Sequence, residues 1–157
     1  MDRNELLKNV KEDPYALEGA EDKFKKDKEI VLAAVKGNGS VLEYAHDSLK
    51  KDKDVILAAV KESGHSLGFA DKSLKKDKKI VMEAINQQGS YLEYADPTLR
   101  KDKTIVTAAI KSYGSSLEFA DKIFQKDKKV VLMAVSSHAD ALEFADNSLK
   151  KDKDIVT

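Results

Sequence analysis

Hydrophobic and polar residues follow one order that repeats every 25 residues along the chain. Each copy opens on a K-D-K segment, continues with an apolar run such as IVLAAV at 30–35, and then reaches a short L-x-x-A box. The alanines that close the box keep the interval without an insertion: Ala20, Ala45, Ala70, Ala95, Ala120 and Ala145. A fixed period of this length predicts a solenoid built from stacked repeats.

The apolar run of each copy has helical spacing. In the copy at 26–50 one face holds residues at i, i+1, i+4 and i+5, namely Ile30, Val31, Ala34 and Val35. Leu32 and Ala33 add apolar residues on the remaining side, which predicts a helix (helix A) that is buried nearly all round. The aspartate before the run is a suitable N-cap and recurs as Asp27, Asp52, Asp77, Asp102, Asp127 and Asp152.

A second, shorter helix (helix B) is predicted after a glycine. Gly39 offers the left-handed conformation that ends many helices, and Gly64, Gly89 and Gly114 repeat it. A capping box then opens helix B. It is formed by the pairs Ser40/Glu43, Ser90/Glu93 and Ser115/Glu118, with Asp140/Glu143 as a variant.

The link from helix B to the next helix A contains a break. Asp96 is a candidate N-cap, and Pro97 suits the first helical position. Helix B is therefore expected to end near Ala95, and a single turn should follow before Asp102. The alternative is one continuous helix from Pro97 to Ile110, but Asp102 stands where such a helix would need an apolar residue.

These elements predict an all-α fold, an α-solenoid of short helices with about six 25-residue repeats, the last one truncated. The array occupies 1–157 as a single unit, with an N-terminal capping half-repeat at 1–20, repeats at 21–150 and a truncated repeat at 151–157. Glu5 and Asn9 replace apolar residues of later copies, as a terminal cap requires. At the other end, either the array continues or the C-terminal end stacks on something, which includes weak self-association.

The repeat resembles a known family. The combination L-K-x-D-K-x-x-V-L-x-A-V followed by G-x-x-L-x-[YF]-A is similar to an uncharacterised family of tandem repeats, filed as a domain of unknown function. Residues 49–70, LKKDKDVILAAVKESGHSLGFA, carry the match, and the segment His138-Ala139-Asp140 departs from it by losing the glycine. The resemblance implies a short-helix solenoid with a scaffold-like use, and it brings no catalytic residues. A looser likeness to leucine-rich variant repeats, in which A-D-P precedes a helix with V-x-x-A-V, is analogy only.

Composition narrows the class of protein. Lysine plus arginine number 28, aspartate plus glutamate number 28, and charged residues make up 36% of the chain, which suits an elongated array with much surface. There is no cysteine, so disulfides and thiolate metal sites are excluded. The N-terminus lacks the apolar run of a signal peptide, and no apolar run approaches the length of a membrane span. A soluble cytoplasmic protein with no membrane association is expected.

Lysines flank each capping aspartate and form the most prominent charged feature. The candidate anion-binding residues follow the aspartate directly and are Lys28, Lys53, Lys78, Lys103 and Lys128. A row of cations over helix N-terminal amides could hold phosphates, nucleic acid or another polyanion. The alternative is a solvated edge on which lysine stems lie against the neighbouring repeat. The zero net charge favours that alternative.

The residues that differ between copies are the candidates for protein binding, because a constant framework must pack while variable positions are free to bind. The largest differences fall in the turn between helices A and B and at the position after the glycine. The candidate residues are Asn38, Ser63, Gln88, Tyr91, Tyr113 and His138. The alternative is that exposed turns simply drift.

Other side chains give little indication of chemistry. The aromatic ladder of Tyr44, Phe69, Tyr94, Phe119 and Phe144 is interpreted as core packing rather than as a stacking platform for bases. His46, His65 and His138 occupy three different repeat positions, which argues against a metal site. No catalytic motif is present, so no catalytic residue and no cofactor are expected.

The sequence therefore predicts a non-catalytic repeat scaffold, a protein–protein interaction module whose protein partner is unknown. One alternative is a polyanion or nucleic-acid binder that uses the lysine row. The other is a structural spacer that stacks through its ends.

Overall fold

The computed structural model describes residues 1–156, and within that range every regular element is helical. The array consists of two compact units, Met1–Ala84 and Ile85–Thr157, and each is described by itself. Of the truncated repeat at 151–157, Thr157 lies outside the described residues. The all-α solenoid of short helices is confirmed, because each unit is a succession of packed 25-residue helical copies.

Helix A is a ten-residue α-helix, and shorter α-helical turns precede some copies. In chain order the α-helices are α1 (Arg3–Glu12), α2 (Asp22–Lys25), α3 (Lys28–Gly37), α4 (Lys53–Glu62), α5 (Lys78–Gln87), α6 (Lys103–Ser112), α7 (Lys122–Gln125), α8 (Lys128–Ser137) and α9 (Lys153–Val156). Helix B is a 3₁₀ helix at Pro14–Leu17, Gly39–Tyr44, Gly64–Phe69, Gly89–Tyr94, Gly114–Phe119 and Ala139–Phe144. Single 3₁₀ turns at Leu49–Lys51, Leu74–Lys76 and Leu99–Lys101 link copies.

The predicted start of helix A and the break before it are confirmed. One carboxylate oxygen of Asp52 accepts hydrogen bonds from the amides of Asp54 at 3.0 Å and Val55 at 3.2 Å. The other capping aspartates of the full copies act in the same way. Ala95 is extended and ends helix B. Asp102 is also extended and separates the turn at Leu99–Lys101 from α6, so no continuous helix runs from Pro97 to Ile110.

Helix A is not buried all round, which corrects the expectation from sequence. In α3 the four residues Ile30, Val31, Ala34 and Val35 are fully buried, while Leu32 and Ala33 are only half-buried. The reason is that α3 packs on α1, on α4 and on its own helix B, and these neighbours leave one side in contact with solvent. Helix A therefore presents an outer face.

The predicted capping boxes are wrong, because helix B begins two residues earlier than they require and is a 3₁₀ helix. Asn38 is the N-cap, and its side chain accepts a hydrogen bond from the amide of Ser40 at 3.0 Å. Ser40 thus lies inside the helix, as do Ser90, Ser115 and Asp140 in their copies. A six-residue 3₁₀ helix rises about 12 Å, close to the roughly 15 Å of the ten-residue α-helix beside it, so it matches helix A with fewer residues.

The glycine before helix B has a different role from the one predicted. No described glycine has a positive φ, so Gly39 does not end helix A in a left-handed conformation. Its role is close approach: a Cβ on Gly39 would lie 2.1 Å from the carbonyl oxygen of Ala59, in the last turn of the following helix A. Gly89 has the same relation to Ala109 in the second unit, also at 2.1 Å.

Neighbouring copies are also joined through the backbone of their linking segments. In the first unit the amide of His46 donates to the carbonyl of Lys25 at 3.1 Å, and the amide of Asp71 donates to that of Lys50 at 2.9 Å. In the second unit the corresponding bonds are Asp121 to Arg100 at 3.0 Å and Asp146 to Gln125 at 2.9 Å. In each unit, neighbouring copies are therefore joined by hydrogen bonds that no side-chain substitution removes.

The glycine contact predicts a position-specific intolerance to a methyl group. Gly39→Ala should lower the free energy of unfolding by about 1–3 kcal/mol or more, since the clash is with backbone that cannot rotate away. Gly19→Ala is the matched control, because nothing lies within 4 Å of its added Cβ, and it should change stability by less than about 0.5 kcal/mol. Chemical denaturation of both variants measures the difference, and equal effects would contradict the contact.

A second prediction concerns the interior of helix B. The Oγ atoms of Ser66 and Ser116 are buried without a hydrogen-bond partner, whereas Val41 and Ala141 fill the same register position. Ser66→Ala should raise the free energy of unfolding by about 1–3 kcal/mol, because it removes an unsatisfied hydroxyl. The half-buried Ser40→Ala is the control and should have little effect. A destabilised Ser66→Ala protein would show that the hydroxyl has a partner in solution.

Candidate functional site

The lysine row predicted to bind anions is engaged in contacts between copies. In several copies the cation that opens helix A reaches the capping aspartate of the following copy. In the first unit these pairs are Arg3–Asp27 at 2.6 Å, Lys28–Asp52 at 2.8 Å and Lys53–Asp77 at 2.6 Å, and in the second unit Lys128–Asp152 at 2.9 Å. We call this set the ladder. It assigns Lys28, Lys53 and Lys128 a role inside the array.

The two carboxylate oxygens of a ladder aspartate make different contacts. Oδ1 of Asp77 caps the next helix, while Oδ2 accepts the ion pair from Lys53. The bond to Lys53 and the amide bonds hold the pKa of Asp77 below its usual value. For Asp52, burial on its own would raise the pKa, but Lys28 and the amides outweigh it and the net pKa is lowered. The pKa of Lys28 is raised by the same pairing with Asp52 and Asp54.

A further row of donors, at the register of Lys75, caps carbonyls at the end of helix B. Lys75 donates to the carbonyl of Gly68 at 2.8 Å, and Arg100 donates to the carbonyls of Ala95 and Glu93. Burial lowers the pKa of Lys75. Gln125 occupies the same register position and donates to the carbonyl of Leu117 at 3.1 Å. Because a neutral glutamine also occurs at this position, the sequence already indicated that the position needs a hydrogen-bond donor rather than a charge.

The other two candidate anion-binding residues are Lys78 and Lys103. Lys78 is exposed at the start of α5, and Lys103 is exposed at the start of α6. Lys103 makes no ion pair within 4 Å among residues 1–156. Instead it lines a shallow groove on the outer face of α6. In the second unit the two candidate lysines therefore differ, since Lys128 is paired with a ladder aspartate and Lys103 is not.

Five of the six predicted protein-binding residues share one structural position, the N-cap of helix B. Asn38, Ser63, Gln88, Tyr113 and His138 all occupy it. Gln88 is exposed and Tyr113 is 36% exposed, whereas the other three are half-buried. These five residues thus share one position in the repeat, but their side chains differ in solvent exposure.

His138 has an internal role as well. Its Nδ1 accepts a hydrogen bond from the amide of Gly114 at 3.1 Å, and its ring meets that of Tyr113 edge-on at 4.6 Å. Ser112 Oγ accepts from the amide of Gly89 in a similar way, also at 3.1 Å. Side chains at the end of helix A therefore satisfy the glycine amide of the preceding copy, a function that sequence variation alone did not reveal.

Tyr91 follows the glycine, at a position that the fold turns inward in the other copies. Val41, Ser66, Ser116 and Ala141 occupy this register and are fully buried. Tyr91 itself is half-buried, and its ring lies 6.1 Å from that of Tyr94 in a stacked arrangement. Variation at this position thus reflects packing in most copies.

The aromatic ladder lies at the margin of the core rather than within it. All five rings, those of Tyr44, Phe69, Tyr94, Phe119 and Phe144, are half-buried. Burial raises the pKa of the Tyr44 and Tyr94 hydroxyls. The tyrosine and phenylalanine rings therefore pack on one side and meet solvent on the other.

The outer face of helix A carries a groove that sequence reasoning missed. In the first unit a groove of about 280 Å³ is lined by Lys36, Asp54, Leu57, Ala58, Lys61 and Glu62. In the second unit a groove of about 470 Å³ is lined by Lys103, Thr104, Thr107, Ala108 and Lys111. Four register positions of α4 recur in α6, so the groove is a property of the repeat. The available signal was the change from Leu57 to Thr107 within an apolar run.

The described residues form neither a metal-binding cluster nor a membrane-spanning helix. Within residues 1–156 no group of three or more His, Asp and Glu side chains is arranged to hold a metal ion. The longest α-helices in that range have ten residues, about half of what a bilayer span requires, and none of them could cross a membrane.

The ladder predicts a specific acid sensitivity. The pKa values of Asp27 and Asp77 are lowered in the folded state, chiefly by Arg3 and Lys53. Their contribution to stability is therefore complete above the ordinary pKa of about 4 and is lost as the pH falls through the lower folded-state value. The free energy of unfolding should fall steeply between about pH 4 and pH 2.

Lys53→Met tests this dependence. The pKa of Asp77 should return towards its ordinary value, so the variant should lose less stability than the parent between pH 4 and pH 2. Lys26→Met, an exposed position outside the ladder, should keep the parent profile. Denaturation curves across this pH range measure the effect, and parallel profiles for all three proteins would contradict the role of the ladder.

The chain matches a family of tandem repeats along its length. The family described as a domain of unknown function (DUF4116) matches residues 2–50, 32–75, 52–100, 77–125 and 127–157. Neither a curated protein nor a solved structure matches the chain. Because the matched segments together cover nearly all of the sequence, this protein belongs to the DUF4116 family of repeat proteins.

Proposed function

We propose that this protein is a non-catalytic repeat scaffold that binds another protein. The observation that carries the proposal is the division of labour within each repeat. Residues in constant register serve the fold: the aspartates cap, the ladder cations join copies and the glycines allow close approach. Residues that differ between copies include the exposed Gln88 and Tyr113 at the N-cap of helix B. Such an arrangement leaves a rigid frame with a variable surface.

The proposal that the scaffold lacks catalysis rests on the engagement of its reactive groups. The carboxylates of Asp52 and Asp77 are held by amides and cations, which keeps their pKa low and makes them poor general acids or bases near neutral pH. His138, the histidine nearest to a tyrosine ring, has its Nδ1 occupied by a backbone amide. A binding role does not require these carboxylates or His138 to exchange protons.

Polyanion binding by the whole lysine row receives less support. Lys28, Lys53 and Lys128 are paired with ladder aspartates, and a phosphate would have to compete with these carboxylates.

A spacer that stacks through its ends remains a prediction. Leu142 and Val135 near the C-terminal end are half-buried, whereas Leu117 and Ile110, their counterparts one copy earlier, are fully buried.

Photo-crosslinking tests protein binding at the variable surface. We expect p-benzoylphenylalanine at Tyr113 and at Gln88 to capture the same protein from a lysate of the source cells. The double variant Tyr113→Ala, Gln88→Ala should recover about tenfold less of that protein, since a few residues carry most of the energy of an interface. The double variant should remain folded, with its melting temperature lowered only by the loss of the ring contact between Tyr113 and His138.

The control is the same photoreactive residue at Lys72, which is exposed in a linking segment. Capture of the same protein from Lys72, or the absence of a discrete adduct from both Tyr113 and Gln88, would overturn the proposal for this surface. Identification of the adduct by mass spectrometry gives the partner.

A further inference from the structure

The two outer-face grooves share a register but differ in charge. The groove on α4 is lined by two lysines and two acidic residues, Asp54 and Glu62, and is neutral overall. The groove on α6 is lined by Lys103 and Lys111, with only threonine and alanine between them. Within the described part of the chain, the α6 groove therefore has two cations and no carboxylate among its lining residues.

Lys103 is available because the ladder does not include it. Its counterparts Lys28, Lys53 and Lys128 are held by the capping aspartate of the following copy at 2.6–2.9 Å. Asp127, the residue in that position for Lys103, is exposed and forms no ion pair within the described residues. Asp102, next in sequence to Lys103, directs its Oδ1 to the amides of Thr104 and Ile105.

The geometry of the groove defines what it can accept. Lys103 and Lys111 are eight residues apart on α6, so their backbone positions are separated by about 12 Å along the helix axis. Thr107 and Ala108 lie between them and are half-buried, which gives a floor of small side chains. An extended peptide covers about 13 Å in four residues, so carboxylates at positions i and i+4 match the two ammonium groups.

We propose that the outer face of α6 binds an acidic segment of a partner protein, with two carboxylates on Lys103 and Lys111 and a small side chain over Ala108. This inference rests on the proposed function, since it assigns a chemistry to the partner of the scaffold. The charge of the groove favours an acidic peptide. A nucleic acid would require many more phosphate contacts than two lysines provide.

Fluorescence anisotropy with a defined probe tests the inference. The probe is a fluorescein-labelled Gly/Ser peptide with glutamates at i and i+4, and the matched peptide carries glutamine at both positions. The full chain should bind the glutamate peptide and not the glutamine peptide, and raising the salt concentration should weaken binding. Lys103→Ala and Lys111→Ala should each raise Kd by about fivefold, and together by about 25-fold.

The control variant removes the same charge elsewhere. Lys26→Ala with Lys36→Ala should leave Kd within about twofold, because Lys26 lies outside both grooves and Lys36 lines the neutral one. Equal weakening by the two double variants would show non-specific attraction and overturn the site. No binding at millimolar peptide would also overturn it.

Three further outcomes either reassign the groove or separate this inference from the proposed function on which it rests. Single-stranded DNA that binds more tightly than the peptide, with the same dependence on Lys103 and Lys111, would reassign the groove to polyanions. If photo-crosslinking from Tyr113 succeeds while the acidic peptide fails to bind, the groove inference is wrong and the scaffold function stands. If the peptide binds as expected while no adduct forms from Tyr113 or Gln88, the acidic groove stands and the variable-turn surface does not.

Discussion

The close approach of helix A to the glycine of the preceding copy, present in both units, is the contact on which the stacking of copies depends. Gly39 and Gly89 each bring a Cα against the last-turn carbonyl of the next helix A, where a Cβ would lie 2.1 Å from that oxygen. This distance sets how near two copies can stack, so it also sets which side chains can reach across. The backbone bonds between linking segments and the ladder ion pairs both require that spacing. The glycine is therefore a packing residue.

The capping aspartate shows how one side chain can join local and tertiary structure. Oδ1 of Asp52 starts α4, and Oδ2 receives Lys28 from the preceding helix A. Ion pairs of this kind are partly exposed and individually weak, so their value lies in orientation and repetition rather than in a large energy for each pair. The same arrangement explains why a chain rich in lysine need not be an anion binder. Lys28, Lys53 and Lys128 are already matched to a carboxylate of the neighbouring copy.

The surface side chains that differ between copies are the ones we propose for partner binding. The repeat leaves variable side chains at the N-cap of helix B and on the outer face of helix A. Tyr113 is exposed at the first, and Thr107 with Lys111 is placed at the second. The grooves on α4 and α6 show that one register can present a neutral surface in one copy and a basic surface in another. Differences in charge at a fixed geometry are what allow a repeat protein to distinguish partners.

The sequence by itself determined the period, the helical class, the caps of helix A and the break after Ala95, because these depend on local periodicity and on hydrogen bonds within a few residues. It could not determine that Gly39 serves close approach, that Ser66 is buried, or that helix B is a 3₁₀ helix. Nor could it separate Lys103 from Lys53, since the two occupy the same place in the repeat. Each of these depends on what lies about 20 to 25 residues away in the next copy, and only the tertiary structure brings those groups together.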